Sequence, residues 1–178
     1  MDFKGFKLKI LLDLKRYSPN GDNLLRFYLT SPGFRYIFWL RLAAYRSDRK
    51  RSVIPFCRLI LKAFLIFYFM RYGASISPRA SIGPGLFIGD PEGIIIGPGV
   101  FVGANCTLQK NVSINKTRYG SNAGVPVVRD NVFIGEGARI IGGIEVGNNV
   151  TIGSSGVVMK DVSDNLTVMT LPDFLGMR

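Results

Sequence analysis

The chain has 178 residues with 47% hydrophobic and 20% charged side chains, proportions that exclude a wholly disordered or collagen-like polypeptide. Histidine is absent and cysteine occurs twice, at Cys57 and Cys106; this removes the usual neutral-pH base, a zinc site and a disulfide framework, and it fits a reducing compartment. The net charge of +11 is confined to one part: residues 1–75 hold 15 Lys and Arg against 4 Asp and Glu, whereas residues 76–178 hold 8 of each and 17 of the 21 glycines.

The first part, 1–75, reads as a basic, aromatic-rich helical segment. Met1 to Lys15 alternates charge and apolarity without a small-residue cleavage site, so no secretory leader is expected there. Turn clusters at Ser18-Pro19-Asn20-Gly21-Asp22 and Ser31-Pro32-Gly33 separate helical stretches at 24–29 and 33–46, and a charged connector follows at 48–52. Val53 to Met70 is long enough to cross a bilayer, but Arg58 and Lys62 share one helical face and oppose crossing, since a charge at the bilayer centre costs about 2.5–3.5 kcal/mol. Two readings stand for this helix: packing against the rest of the protein, or lying on an anionic membrane surface with its cations snorkelling to head groups. No helix-turn-helix, zinc-finger or RNP pattern accompanies the basic charge, so nucleic acid is not an expected partner.

The second part repeats. Ile76, Ile82, Ile88, then Ile96, Val102, Leu108, Ile114, then Val128, Ile134, Ile140, Val146, Ile152 and Val158 recur every six residues, each followed four positions on by a residue that is nearly always small or aliphatic. The phase slips between Ile88 and Ile96 and between Ile114 and Val128. Period six matches neither a helix nor an alternating strand; it matches a short flat strand plus a corner, three of which close one triangular coil. Thirteen such positions make about four coils and, at the spacing of paired strands, a prism about 20 Å tall. The first coil would present an unpaired backbone edge, which the basic segment is placed to cap. A prism this slight without metal or disulfide staples is expected to self-associate as a closed ring.

The tandem, the loop at 115–127 and the closing Ile152-Gly153-Ser154-Ser155-Gly156-Val157-Val158-Met159-Lys160-Asp161-Val162-Ser163-Asp164-Asn165 resemble the hexapeptide-repeat acyltransferases, most closely the serine O-acetyltransferase and capsule or exopolysaccharide O-acetyltransferase types. The resemblance covers 76–165 and leaves 166–178 as a tail. It implies a left-handed parallel β-helix, a homotrimer, and acetyl-CoA as co-substrate bound between adjacent prisms.

Acetyl transfer to a hydroxyl needs a base for the hydroxyl proton and donors for the oxyanion. The family's base is a histidine in a motif like F-I-x-H-x-x-G or in the loop. Here the motif reads Phe87-Ile88-Gly89-Asp90-Pro91-Glu92-Gly93, and Val125 precedes Pro126 where the loop's histidine often stands. Asp90, beside Glu92, is therefore the candidate base, and equally an ordinary Asp-Pro turn. Lys110, Lys116 and Arg118 are candidates for a carboxylate or phosphate of the acceptor, or solvated cations. The resemblance further implies coenzyme contacts at Glu136, Ser154, Met159 and Lys160; Thr170 replaces a glycine near the family's C-terminal adenine contact.

The resulting expectation is a cytoplasmic acyl-CoA-dependent O-acetyltransferase without a metal. Its expected acceptor is a sugar hydroxyl of a surface polysaccharide or lipid-linked saccharide at the inner membrane face. Serine as acceptor is the alternative within the same chemistry, and a catalytically silent binding or regulatory β-helix is the alternative outside it.

Overall fold

A computed structural model of the chain describes residues 3–18, 24–48, 55–120 and 122–169. The turn expected after Ser18, the connector after Asp48, and Thr170 with the rest of the tail lie outside these residues, as do the side chains of Cys57 and Arg58.

Four helices precede a column of short strands: α1 (Phe3–Tyr17), α2 (Leu24–Thr30), α3 (Pro32–Asp48) and α4 (Pro55–Tyr72), then β1 (Ser75–Ile76) through β14 (Thr167–Val168). The strands form three parallel sheets of order β1-β4-β7-β10-β13, β11-β8-β5-β2 and β14-β12-β9-β6-β3. Every third strand thus stacks on one face of a left-handed parallel β-helix with four full coils and a fifth that ends in β14. The period-six residues pair in register, Ile96 with Ile114, Ile114 with Ile140 and Ile140 with Val158 on one face. All thirteen are buried, with Leu86, Val100, Cys106, Val112, Val132, Ala138 and Val150 filling the space between them.

The corners follow from residue chemistry. Asn105, Asn131, Asn149 and Asn165 stack at one corner with φ of 56, 59, 56 and 62°, a conformation that costs branched side chains about 1–2 kcal/mol and that asparagine tolerates. Their amides bond down the stack, Asn131 Nδ2 to Asn149 Oδ1 at 3.1 Å and Asn149 Nδ2 to Asn165 Oδ1 at 2.9 Å.

The helices close the open first coil with polar side chains. Arg41 Nη1 and Nη2 donate to the Ile82 and Gly83 carbonyls at 2.7 and 2.5 Å, and Lys9 Nζ shares the Ile82 carbonyl at 3.1 Å. Burial, reinforced by the Arg41 cation, lowers the Lys9 pKa. Asp13 Oδ1 accepts from the Leu86 N–H, Tyr36 Oη from the Ile76 N–H, and Tyr17 Oη both accepts from the Ile88 N–H and donates to the Ile88 carbonyl. Asp13 and Arg41 are themselves bidentately paired at 2.9 and 3.1 Å and almost wholly buried. Each face of the first coil therefore has a side-chain partner for its edge, the role anticipated for the basic segment.

Helix α1 falls within the helical segment expected over 1–75, although no separate helix is delimited there from the sequence. Its inward face is Ile10, Asp13 and Tyr17, spaced i, i+3, i+7 but half polar, so hydrophobic periodicity does not reveal it. Ser31 Oγ accepts from the Phe34 N–H and caps α3, with Pro32 at the first helical position. Gly33 sits where a Cβ would overlap the Ile88 carbonyl oxygen, which lets α3 lie directly on the coil.

Candidate functional site

The phase slips become two protrusions. Residues 89–93 widen the corner between β3 (Phe87–Ile88) and β4 (Ile95–Ile96), and residues 116–126 leave the corner between β7 (Ser113–Asn115) and β8 (Val127–Val128). At the first of these corners the chain repeats one arrangement down four coils. The N–H of Asn111 donates to the Glu92 carbonyl at 2.7 Å, that of Gly137 to Lys110 at 3.0 Å and that of Ser155 to Glu136 at 2.7 Å. Glu92, Lys110, Glu136 and Ser154 consequently stand in one column, about 14 Å from end to end at the spacing of paired strands. Lys110 Nζ and Glu136 Oε1 are 3.3 Å apart, both side chains about half exposed, a pair worth under about 1 kcal/mol.

Asp90 lies in the same corner insertion. It is exposed, and its Oδ1 accepts from the Glu92 N–H at 3.1 Å, an Asx turn closed over the buried Pro91. Lys116, Arg118, Met159 and Lys160 form a second group on the neighbouring corner. The loop turns back through a Thr117–Gly124 bridge and lies along the fourth coil, with Gly143 N–H bonded to the Asn122 carbonyl at 2.8 Å. The Asn122 side-chain amide donates to the Met159 carbonyl of the fifth coil. One face of the prism separates the two groups, with Arg139 and Val157 pointing outward from it. Met159 is five positions beyond Ser154, so the corners are at most about 17 Å apart.

Asn122 and Arg139 are absent from the residues singled out by sequence. The Asn-Ala-Gly turn of the loop was the available signal for the first; a lone outward cation on a strand carries none. Cys106 is no candidate nucleophile: its Sγ is buried against the Arg129 carbonyl at 3.2 Å, and burial pushes its pKa up to about 11. Val125 packs on the core, turning an apolar side chain inward where the resemblance places a histidine.

No family model matches the chain. Curated relatives do match, among them a serine acetyltransferase of Staphylococcus aureus, 36% identical over 154 residues that cover 86% of this chain and 70% of the relative. The chain belongs to the serine acetyltransferase family. The serine acetyltransferase of Neisseria gonorrhoeae in complex with serine superposes with a TM-score of 0.76 at 26% identity, covering 95% of this chain and 68% of that one. A serine acetyltransferase in complex with CoA shares the fold, with a TM-score of 0.77 at 24% identity over 96% of this chain and 69% of that one. The chain spans about three fifths of the length of the first curated relatives it matches, 61% and 62%.

Membership corrects the expected acceptor. The relatives are named serine acetyltransferases, which overturns the reading of a polysaccharide or lipid-linked sugar hydroxyl. The error has a physical source. Period six specifies the prism, and a basic flank says nothing about which hydroxyl is acylated. Among the described residues no helix is long and apolar enough to cross a membrane.

Proposed function

We propose that the chain is an acetyl-CoA-dependent O-acetyltransferase that acylates serine and works as a homotrimer in the cytoplasm. The observation that carries this reading is family membership, at 36% identity to a serine acetyltransferase over 86% of the chain. In the reaction the serine hydroxyl loses its proton to a base, its oxygen bonds the acetyl carbon, and the carbon–sulfur bond breaks to release the coenzyme thiol.

Asp90 takes the base's position. The Glu92 N–H holds one carboxylate oxygen of Asp90 and leaves the other to receive the proton, with Glu92 beside it. Glu136 and Ser154 continue the same column and would flank the coenzyme arm, while Met159 and Lys160 lie at the last coil, Lys160 as a point charge for a coenzyme phosphate. Lys110, Lys116 and Arg118 gain a defined purpose with an amino-acid acceptor, whose carboxylate they would bind. The acidic turn and the loop cations occupy different corners of one prism, so a compact site draws on neighbouring prisms, an arrangement that a closed trimer would supply.

The test is acetyl-CoA binding by calorimetry, followed by coenzyme release with serine. Turnover that falls at least about 100-fold in Asp90→Asn supports the assignment. Turnover unchanged in that variant refutes Asp90 while leaving the class, and no coenzyme binding refutes the class. With no histidine in the chain, the pH profile of kcat/KM should show no inflection near the imidazole range of about 6.5. A second reading, a coenzyme-binding subunit without catalysis, is favoured by the engagement of Asp90 in its own turn. It predicts coenzyme binding with no release.

A further inference from the structure

Helix α4 is apolar on two opposite sides. Its inner side meets α3 and β1: Tyr68 is buried, its ring 5.0 Å from that of Tyr36, and Phe64 stacks on Trp39 at 4.3 Å. On its outer side Leu59, Ala63, Ile66 and Met70 recur at i, i+4, i+7 and i+11, a straight stripe along the helix. Leu59, Ile66 and Met70 are 64, 58 and 80% exposed, and Phe67 and Phe69 widen the stripe on either side at 58% each. A helix face turned to water is ordinarily polar, and a contiguous apolar surface of this kind marks an interaction site.

Charge identifies the occupant. From residue 49 to residue 89 there are seven Lys and Arg and not one Asp or Glu. Two of these cations, Lys62 and Arg71, are exposed and flank the stripe on opposite sides. An apolar stripe bordered by cations on long flexible stems fits the boundary between acyl chains and anionic head groups, with the stripe immersed and the cations at phosphate level. We infer that the outer face of α4 is a docking surface for an anionic phospholipid bilayer, on which the helix lies flat. The packing and membrane-surface readings of this helix thereby apply to opposite faces. Docking through α4 leaves the last coil, with Lys160 and the loop, at the far end of the prism. The inference is independent of the acetyl-transfer reading.

The test is flotation of the full chain with vesicles of phosphatidylcholine, alone or mixed with phosphatidylglycerol. Each flanking cation contributes about fivefold, so partitioning onto the mixed vesicles should be roughly 25-fold stronger and should weaken with added salt. The double variant Ile66→Glu/Met70→Glu, at exposed positions that leave the inner packing intact, should lower partitioning more than about tenfold. Its acetyl-CoA binding without vesicles and its circular dichroism should not change. Met70→Trp should be quenched by brominated acyl chains, while the parent, whose one tryptophan is Trp39 on the inner side, should not. Absence of binding to either vesicle, equal binding to both, or binding unaffected by the glutamates overturns the inference. So does light scattering that shows the glutamates dissociating a lipid-free oligomer, because the stripe then belongs to a second copy of the chain.

Discussion

Replacing Arg41 by Met tests whether the helical cap is held by a buried charge network rather than by apolar contact alone. Arg41 is 3% exposed, and its guanidinium donates twice to Asp13 and once each to the carbonyls of Ile82 and Gly83. The methionine keeps most of the stem's volume and deletes all four bonds. Asp13 would remain buried with the Leu86 N–H donating to it, and the Gly83 carbonyl would lose its guanidinium partner. Breaking a buried pair from one side costs about 3–5 kcal/mol, and an orphaned carbonyl adds about 1–3 kcal/mol that overlaps with it, so we expect a loss of about 4 kcal/mol. For a chain of this length that lowers Tm by about 8–16 °C. Urea unfolding followed by Trp39 fluorescence and circular dichroism measures it, and a cycle with Asp13→Asn isolates the pair. Hydrogen exchange should show the amides of Leu86 and Ile88 losing protection before those of Ile134 and Ile152. A loss below about 1 kcal/mol, or a coupling energy below about 0.5 kcal/mol, would refute the network as the fastening of the cap.

Gly33→Ala places a methyl against the Ile88 carbonyl, so α3 must lift off the coil; a drop of several kcal/mol in urea stability is expected, and a change under about 0.5 kcal/mol would contradict the close approach. Asn149→Ala, at φ 56° and with two stack bonds, should cost about 2 kcal/mol, whereas Asn149→Gly should cost less because glycine accepts the angle. Asn122→Ala releases the loop from the Met159 carbonyl, and tryptic cleavage after Lys116 and Arg118 should accelerate; an unchanged rate would mean that the tether is idle. Cys106 has its pKa raised by burial to about 11 from 9.0, so the unfolded chain releases this proton first and stability falls as pH rises from about 9 to 11, by up to about 2.7 kcal/mol. Cys106→Val, which matches the valines at equivalent positions, should change neutral-pH stability by less than about 1.5 kcal/mol and flatten this alkaline fall.

The prism was legible because its constraint is repeated thirteen times. Each six-residue unit buries one aliphatic side chain and turns one corner, so errors at single positions do not mask the period, and even its two slips mark the observed protrusions at 89–93 and 116–126. The cap was legible only as a need. An unpaired edge demands donors and acceptors, but the residues that supply them, Asp13, Tyr17, Tyr36 and Arg41, are scattered through helices whose inward faces mix polar and apolar groups. Periodicity detects burial of hydrocarbon and cannot distinguish a buried Asp13 from a solvated one.

The candidate site was legible in part, and the line falls where repeat gives way to chemistry. Glu92, Lys110, Glu136 and Ser154 share one column because each precedes the left-handed corner residue of its coil, a consequence of period six alone. What a column can do depends on which side chains occupy it, and there the repeat is silent: corners are exposed, tolerate most residues, and fold equally well with or without a base. The same indifference explains the mistaken acceptor. A sugar and a serine both offer a hydroxyl, and they differ in the carboxylate that only the amino acid carries. On the proposed serine reading the discriminating residues would be the loop cations Lys116 and Arg118 rather than Asp90 and Glu92, and the loop is the segment that the repeat constrains least. Charge reversal at Lys116 and Arg118 should raise KM for serine by about tenfold or more while leaving acetyl-CoA binding unchanged, and equal effects on both would show that these cations serve the coenzyme instead.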